Sequence, residues 1–294
     1  MELLIHSGDD YVASFEPESL AALTYTKLAE IPVTVTSACV PWRTPSGQYP
    51  VLKHDARVVH DDVLDYFSSH GYDLDGALTA KQAAESFAYK TLVRDALHKA
   101  LLYCRWLDAE NYSSFTRKWY SNQLSFPLTI FLPHMKHRSV QSKLENECTP
   151  DLTPDMFHNL VLARARECFN TLSVKLDTQQ YFFGDKPTSL DAVVYGYLDN
   201  LIQYSLPGNN SLQGHVYCCD NLLQFCTRVR SRLYPDHKTG TSSEAEVSNW
   251  QPAMWISIGT AASLLLFQMY RVGWFHKPPI PDTNKTSLEN YVLQ

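Results

Sequence analysis

A small α/β domain, an all-helical domain and one trailing apolar helix are the architecture this sequence predicts, and three observations predict it. In the first 75 residues, strand-like and helix-like runs follow the order strand, helix, strand, loop, strand, strand, helix. From 79 to 235 the apolar spacing is helical. Residues 252–270 form a run of nineteen with no charge.

The first strand is expected at 2–6. A helix follows from Glu16 to Ile31, with Leu20, Leu23 and Leu28 on its apolar side. Residues 32–36, Pro-Val-Thr-Val-Thr, are short and β-branched, so they read as a strand. Turn residues fill 41–47. Two strands, 49–52 and 57–60, then flank a turn at Asp55, and Asp61-Asp62 is expected to cap a helix running to about Ser68. A strand that opens on Pro50 after a long loop suits a cis peptide bond, which is almost confined to proline. This order is that of a thioredoxin-like domain, as found in glutathione transferases.

In the second domain Ala84, Ala88, Leu92, Ala96, Ala100 and Cys104 recur every four residues and predict a close-packing ridge. Phe157 to Leu176 is a further amphipathic run. Thr188 and Asp191 have capping-box spacing before the apolar run from Ala192, with Asp in place of the usual Glu. A Gly-Asp-turn-Thr-x-x-Asp string of this kind opens the core helix of the glutathione-transferase C-terminal domain, where its role is structural. The expected organisation is a thioredoxin-like domain at 1–75, a helical glutathione-transferase-like domain at 79–235, a polar linker at 236–251, a membrane helix at 252–270 and a short tail at 271–294.

Nineteen helical residues span roughly 28 Å, close to the hydrocarbon thickness of a bilayer. Trp255 near one end and Tyr270 at the other provide interfacial rings, and Leu264, Leu265, Leu266 and Phe267 form the apolar centre. Only 24 residues follow, so insertion after synthesis, as a tail anchor, is expected. The basic flank, Arg271 and Lys277, lies on the trailing side and suits the mitochondrial outer membrane. The opening residues lack the basic start and long apolar stretch of a signal peptide, so the bulk of the chain is expected to face the cytosol.

The 294 residues carry a net charge of -6, which argues against nucleic-acid binding through bulk charge. The seven cysteines are irregularly spaced with no CxxC pair, and read as reduced thiols. His134-x-x-His137 lacks a nearby acid or thiol to complete a metal set. His215, Cys219 and Cys226 share one helical face by spacing, together with Leu222 and Leu223, which predicts a buried side of one helix. Asp9-Asp10 and the pair Asp108 and Glu110 read as caps and solvated turns. Arg117-Lys118-Trp119-Tyr120 reads as a cation–π corner or a protein contact. No catalytic, cofactor-binding or metal-binding residue is assigned.

Six strings, LTYTKL around Tyr25, PWRTPSGQYP at 41–50, ENYSSFTRKWY at 110–120, FPLTIFLP at 126–133, ARECFNTLS at 165–173 and FFGDKPTSLDA at 182–192, resemble the metaxin family, in particular its metaxin-1/metaxin-3 branch. The resemblance covers residues 1–235, with one departure. Metaxins often end the first strand in Cys-Trp, where this chain has Ile5-His6. The resemblance implies a non-enzymatic protein of the mitochondrial outer membrane, in the sorting and assembly machinery that inserts β-barrel proteins. It also implies two partners, a second metaxin and the barrel-forming subunit. The alternative is a membrane-anchored glutathione-dependent transferase or ligand-binding relative. Its thiolate-holding residue would come from Ser7, Tyr11 or Ser14. Asp62, beside Asp61, would stand where transferases place a serine for the glutathione carboxylate, and two acids there would repel it.

Overall fold

The structure, a computed structural model, describes residues 1–147, 153–204, 206–208 and 211–238. The anchor at 252–270, with Trp255, Leu264, Leu265, Leu266, Phe267 and Tyr270, lies outside these residues, as does the tail. Among the described residues no helix is long and apolar enough to cross a membrane.

Strand β1 (Glu2–His6) pairs in parallel with β2 (Thr34–Ala38) and antiparallel with β3 (Val51–His54), which pairs antiparallel with β4 (Arg57–Val59). The sheet order is β2-β1-β3-β4. The parallel pair requires a crossover, supplied by α1 (Pro17–Leu28). Strand β2 starts two residues later than the β-branched run suggested. The hairpin between β3 and β4 turns at Asp55, whose φ of 53° is left-handed. The Tyr49–Pro50 peptide is cis, at the entry to β3. Helix α2 (Val63–Ser69) follows β4.

The helical part begins with α3 (Ala80–Leu102), capped by Thr79 and Gln82. Ala96, Ala100 and Cys104 of the predicted ridge are buried, whereas Ala84 and Ala88 face solvent because the first turns of α3 turn Ser86 inward instead. After α3 the chain runs through wide helical turns, α4 (Ala109–Asn111), α5 (Arg117–Gln123) and α6 (Leu128–Glu147). Then come α7 (Pro154–Leu176), α8 (Ser189–Ile202), α9 (Ser211–Tyr217) and α10 (Asp220–Leu233).

Helix α8 is the centre of the core, buried from Ser189 to Leu201. Asp191 holds its start: one carboxylate oxygen accepts from the Thr188 amide at 2.7 Å and hydroxyl at 2.6 Å, the other from the Phe182 amide at 3.0 Å. Burial pushes the Asp191 carboxyl up to about 6 against these donors. Helix α8 lies so close to α1 that a Cβ at Gly196 would stand 2.6 Å from the Pro17 carbonyl oxygen. The same proximity buries α1 almost all round, one side on the sheet and one on α8. The buried ion pair Asp199–Arg230, at 2.8 Å, joins α8 to α10. Asp75 links the end of the strand-containing part to α8, accepting from the Ser189 amide at 2.8 Å.

Candidate functional site

In an open α/β sheet the carboxyl ends of the strands are where ligands bind, so the end of β1 is the place to look. The chain leaves β1 through Ser7 and Gly8 and turns at Asp9. Asp9 Oδ1 accepts from the amides of Tyr11 and Val12, at 2.9 and 3.0 Å, a local Asx turn. A Cβ on Gly8 would collide with the Val12 carbonyl oxygen, so only glycine allows this return. Asp9 Oδ2 reaches further: it accepts from Trp119 Nε1 at 2.8 Å and Tyr204 Oη at 3.0 Å. Asp9 is therefore a junction between the strand end, α5 and the segment after α8. Read from sequence it is a solvated turn; local spacing gives the Asx turn and carries no sign of Trp119 or Tyr204.

His6 ends β1 inside the protein. Its ring is enclosed by Trp119 and Phe15, with Tyr49 edge-on from the cis-proline loop. Nδ1 lies 3.0 Å from the Ser7 carbonyl, which can only accept, so Nδ1 carries the proton and Nε2 accepts from Tyr120 Oη at 3.2 Å. Burial, with the Lys136 charge adding, pushes the His6 pKa down to about 4, so the ring is neutral near pH 7. Lys136 of α6 pairs with Glu16. Burial opposes ionisation of Glu16, but Lys136 outweighs it and holds the carboxyl at about 2. The Lys136 side chain is 34% exposed, so solvent screens this pair. Deeper in, Arg105 donates to the Phe15 carbonyl at 2.7 Å and to the Asn200 carbonyl and Oδ1, both at 2.9 Å, while stacking over Phe15. Gln123 Nε2 closes the rim on the Gly8 carbonyl at 3.3 Å.

The end of β1 is thus filled by the protein's own residues, Trp119 and Tyr120 from α5 and Lys136 from α6. A surface cavity of about 330 Å³ lies instead between α3 and α6, lined by Arg94, His98, Lys99 and Lys143 among others.

The three transferase-type candidates are dispersed. Ser14 is buried, bonding to the amide and carbonyl of Glu16 at 3.3 Å in the turn into α1. The Tyr11 carbonyl accepts from Arg230, and Ser7 uses its backbone to hold Ala38 and Phe15. Asp62 stands at the N-cap of α2, but its left-handed backbone, φ 50°, keeps the carboxylate from the helix amides. Capping needs an extended residue at that position, so the expected cap is absent. Asp61 is exposed, 3.4 Å from His60. Pro50 occupies the cis bond beside Tyr49, and Thr188 and Asp191 sit far from the β1 end, at the start of α8.

His134 is exposed on α6, whereas His137 donates from Nδ1 to the Trp106 carbonyl at 2.7 Å, so the two do not converge. The expected shared face of His215, Cys219 and Cys226 is corrected: α9 ends at Tyr217 and α10 begins at Asp220, which separates them. Asp108 does cap, accepting from the Asn111 amide at 2.8 Å. Trp119 and Tyr120 are buried while Arg117 and Lys118 are exposed, and the guanidinium facing rings is that of Arg105. Among the described residues no group of three His, Cys, Asp or Glu side chains could hold a metal.

Comparison with known proteins gives two matching family models. One described as "Outer mitochondrial membrane transport complex protein" matches residues 19–137, and one described as "Glutathione S-transferase, C-terminal domain" matches 165–229. Metaxin-1 of Mus musculus is 35% identical over 240 residues, 80% of this chain and 75% of that protein. Metaxin-3 of Danio rerio is 35% identical over 240 residues, 80% of this chain and 76% of that protein. Among solved structures, a glutathione S-transferase of Ceriporiopsis subvermispora in complex with glutathione gives a TM-score of 0.52 at 13% identity, covering 81% of this chain and 98% of that one. A β-etherase from Sphingobium sp. strain SYK-6 gives 0.52 at 14%, covering 79% and 96%. At such identities these neighbours show the fold alone, a glutathione-transferase-like one.

Proposed function

The chain belongs to the metaxin family, and from that premise we propose that it is a non-catalytic subunit of the sorting and assembly machinery that inserts β-barrel proteins. At the coarser level it is a component of an outer mitochondrial membrane transport complex. In the finer reading, the two folded parts face the cytosol, the segment 252–270 anchors them, and a second metaxin and the barrel-forming subunit are the partners.

The observation that supports a non-catalytic role is the occupied end of β1. His6 is neutral, enclosed and bonded at both ring nitrogens, and Trp119, Tyr120 and Lys136 stand where a ligand of this fold would enter. Two exposed acids, Asp61 and Asp62, precede α2, where an anionic ligand would need donors. A protein with this surface works through contacts with other chains.

The test is isolation of the tagged full-length chain from mitochondria in mild detergent, with the co-purifying chains identified by mass spectrometry. A second metaxin and a β-barrel subunit in near-stoichiometric amounts are expected. Recovery as a lone chain, or release of the protein from the membrane by alkaline carbonate, would overturn the proposal.

A further inference from the structure

Helix α6 presents apolar side chains in two opposite directions. Leu132, Val140 and Leu144 are buried against the protein. On the other side Ile130, Phe131 and Met135 are 59, 61 and 65% exposed, and Phe126 just before the helix is 40% exposed. At 100° per residue, positions 130, 131, 134, 135 and 138 fall within an arc of about 140°, so they form one outward face. A contiguous patch of this kind, holding two phenylalanines, marks an interaction surface.

Charge says what the surface meets. The chain as a whole is at -6, yet residues 111–144 contain no Asp or Glu and five Lys or Arg. Of these five, Lys136 is turned inward to Glu16. Arg117, Lys118, Arg138 and Lys143 are exposed on α5 and α6. An apolar helical face that carries Arg138, follows the exposed Arg117 and Lys118 of α5 and meets its first acid only at Glu145, ten residues beyond Met135, matches the boundary between headgroups and acyl chains in an anionic bilayer.

The described chain ends near the patch. Its last described residue, Lys238, donates from its amide to the Asp10 carbonyl at 2.9 Å and pairs with the Asp10 carboxylate. Two residues away, the Gly8 carbonyl accepts from Gln123, the last residue of α5 and three before Phe126. The last described residue is therefore tied to the same β1 loop that Gln123, at the start of the patch, also holds. The thirteen residues 239–251 span at most roughly 45 Å.

We infer that the outer face of α6, Phe126, Ile130, Phe131 and Met135 with Arg138, seats in the surface of an anionic phospholipid bilayer, a second membrane contact that fixes the orientation of the folded part. This rests on the reading of 252–270 as the membrane anchor. A face pressed into lipid explains why the helix is apolar on both sides at its N-terminal end.

The test uses the full-length chain, reconstituted in vesicles of phosphatidylcholine with phosphatidylinositol, carrying p-benzoylphenylalanine at one of three positions: 131, 87 or 265. Phe87 is 71% exposed on α3 and serves as the reference. After irradiation, mass spectrometry counts lipid and protein adducts. Lipid adducts at 131 at about tenfold the level at 87, falling at least about threefold in vesicles of phosphatidylcholine alone, are expected. Lipid labelling at 265 with only the reference level at 131 overturns the inference and leaves the anchor standing. Adducts from 131 to a second protein chain overturn it in favour of a protein partner. Lipid labelling at 131 but not at 265 upholds the α6 contact as the membrane contact in its own right and overturns the anchor reading. Labelling at neither position removes both.

Discussion

Two helical regions of the molecule solve different problems. On one side α8 is buried along nearly its whole length, and Asp191 is bonded to its own cap, Asp199 to Arg230 and Asn200 to the Ser14 carbonyl. On the other side the segment 103–147 turns Trp119, Tyr120 and Lys136 into the end of β1 and leaves Ile130, Phe131 and Met135 outside. The first region holds the fold together. The second occupies the place where the fold could bind a ligand and offers a surface in exchange.

Substitutions that separate the two regions are ordered here from the largest expected effect. Asp199→Ala leaves Arg230 charged and unpaired inside the protein, so a loss of about 3–5 kcal/mol is expected in urea unfolding. A loss below about 1 kcal/mol would mean that α8 is not the supporting element. For the β1 end the lever is pH. His6 is held at about 4 in the fold against 6.5 when unfolded, so protons favour the unfolded chain. Its contribution is complete above pH 6.5 and is lost as pH falls toward 4. Between pH 7 and 4.5 the wild type should lose about 2–3 kcal/mol more than His6→Phe. Asp191, raised to about 6, pulls the other way over part of this range, but it is common to both proteins and cancels in the difference. Equal slopes would show that His6 is not enclosed.

Smaller effects sharpen the contrast. Trp119→Phe keeps a ring but removes the donor to Asp9, and should cost about 1–3 kcal/mol. It should also raise amide exchange at Tyr11 and Val12, which the same carboxylate holds. Unchanged exchange there would dissociate Asp9 from α5. Lys136→Met should cost less than about 1 kcal/mol, because the partly exposed pair with Glu16 is screened. A larger loss would make the rim as important as α8.

How much of this was legible in the sequence follows the same division. The strands and the opening of α8 were readable because their signals are local: β-branched runs, a proline at the strand entry, Thr188 and Asp191 three apart. Strand β2 shifted by two residues because pairing with β1 set its register. The cap expected at Asp62 failed because backbone conformation, not residue type, decides whether a carboxylate reaches the helix. The supposed single face of His215, Cys219 and Cys226 failed because a helix break at 218–219 leaves no mark in spacing. The β1 end was largely hidden. His6 was read as a minor departure at a strand end and Asp9 as a solvated turn, yet both are held by residues about 110 positions away. Exposure of Ile130 and Phe131 was also beyond reach, since an apolar helical run looks the same whichever side faces water.

The most direct test of the filled β1 end is calorimetric titration of glutathione into the full-length chain in detergent micelles. No saturable heat up to about 10 mM glutathione is expected, since His6, Trp119 and Tyr120 leave the ligand no place to enter. One-to-one binding with Kd of about 1 mM or tighter would contradict the account and return the chain to the ligand-binding class of its fold.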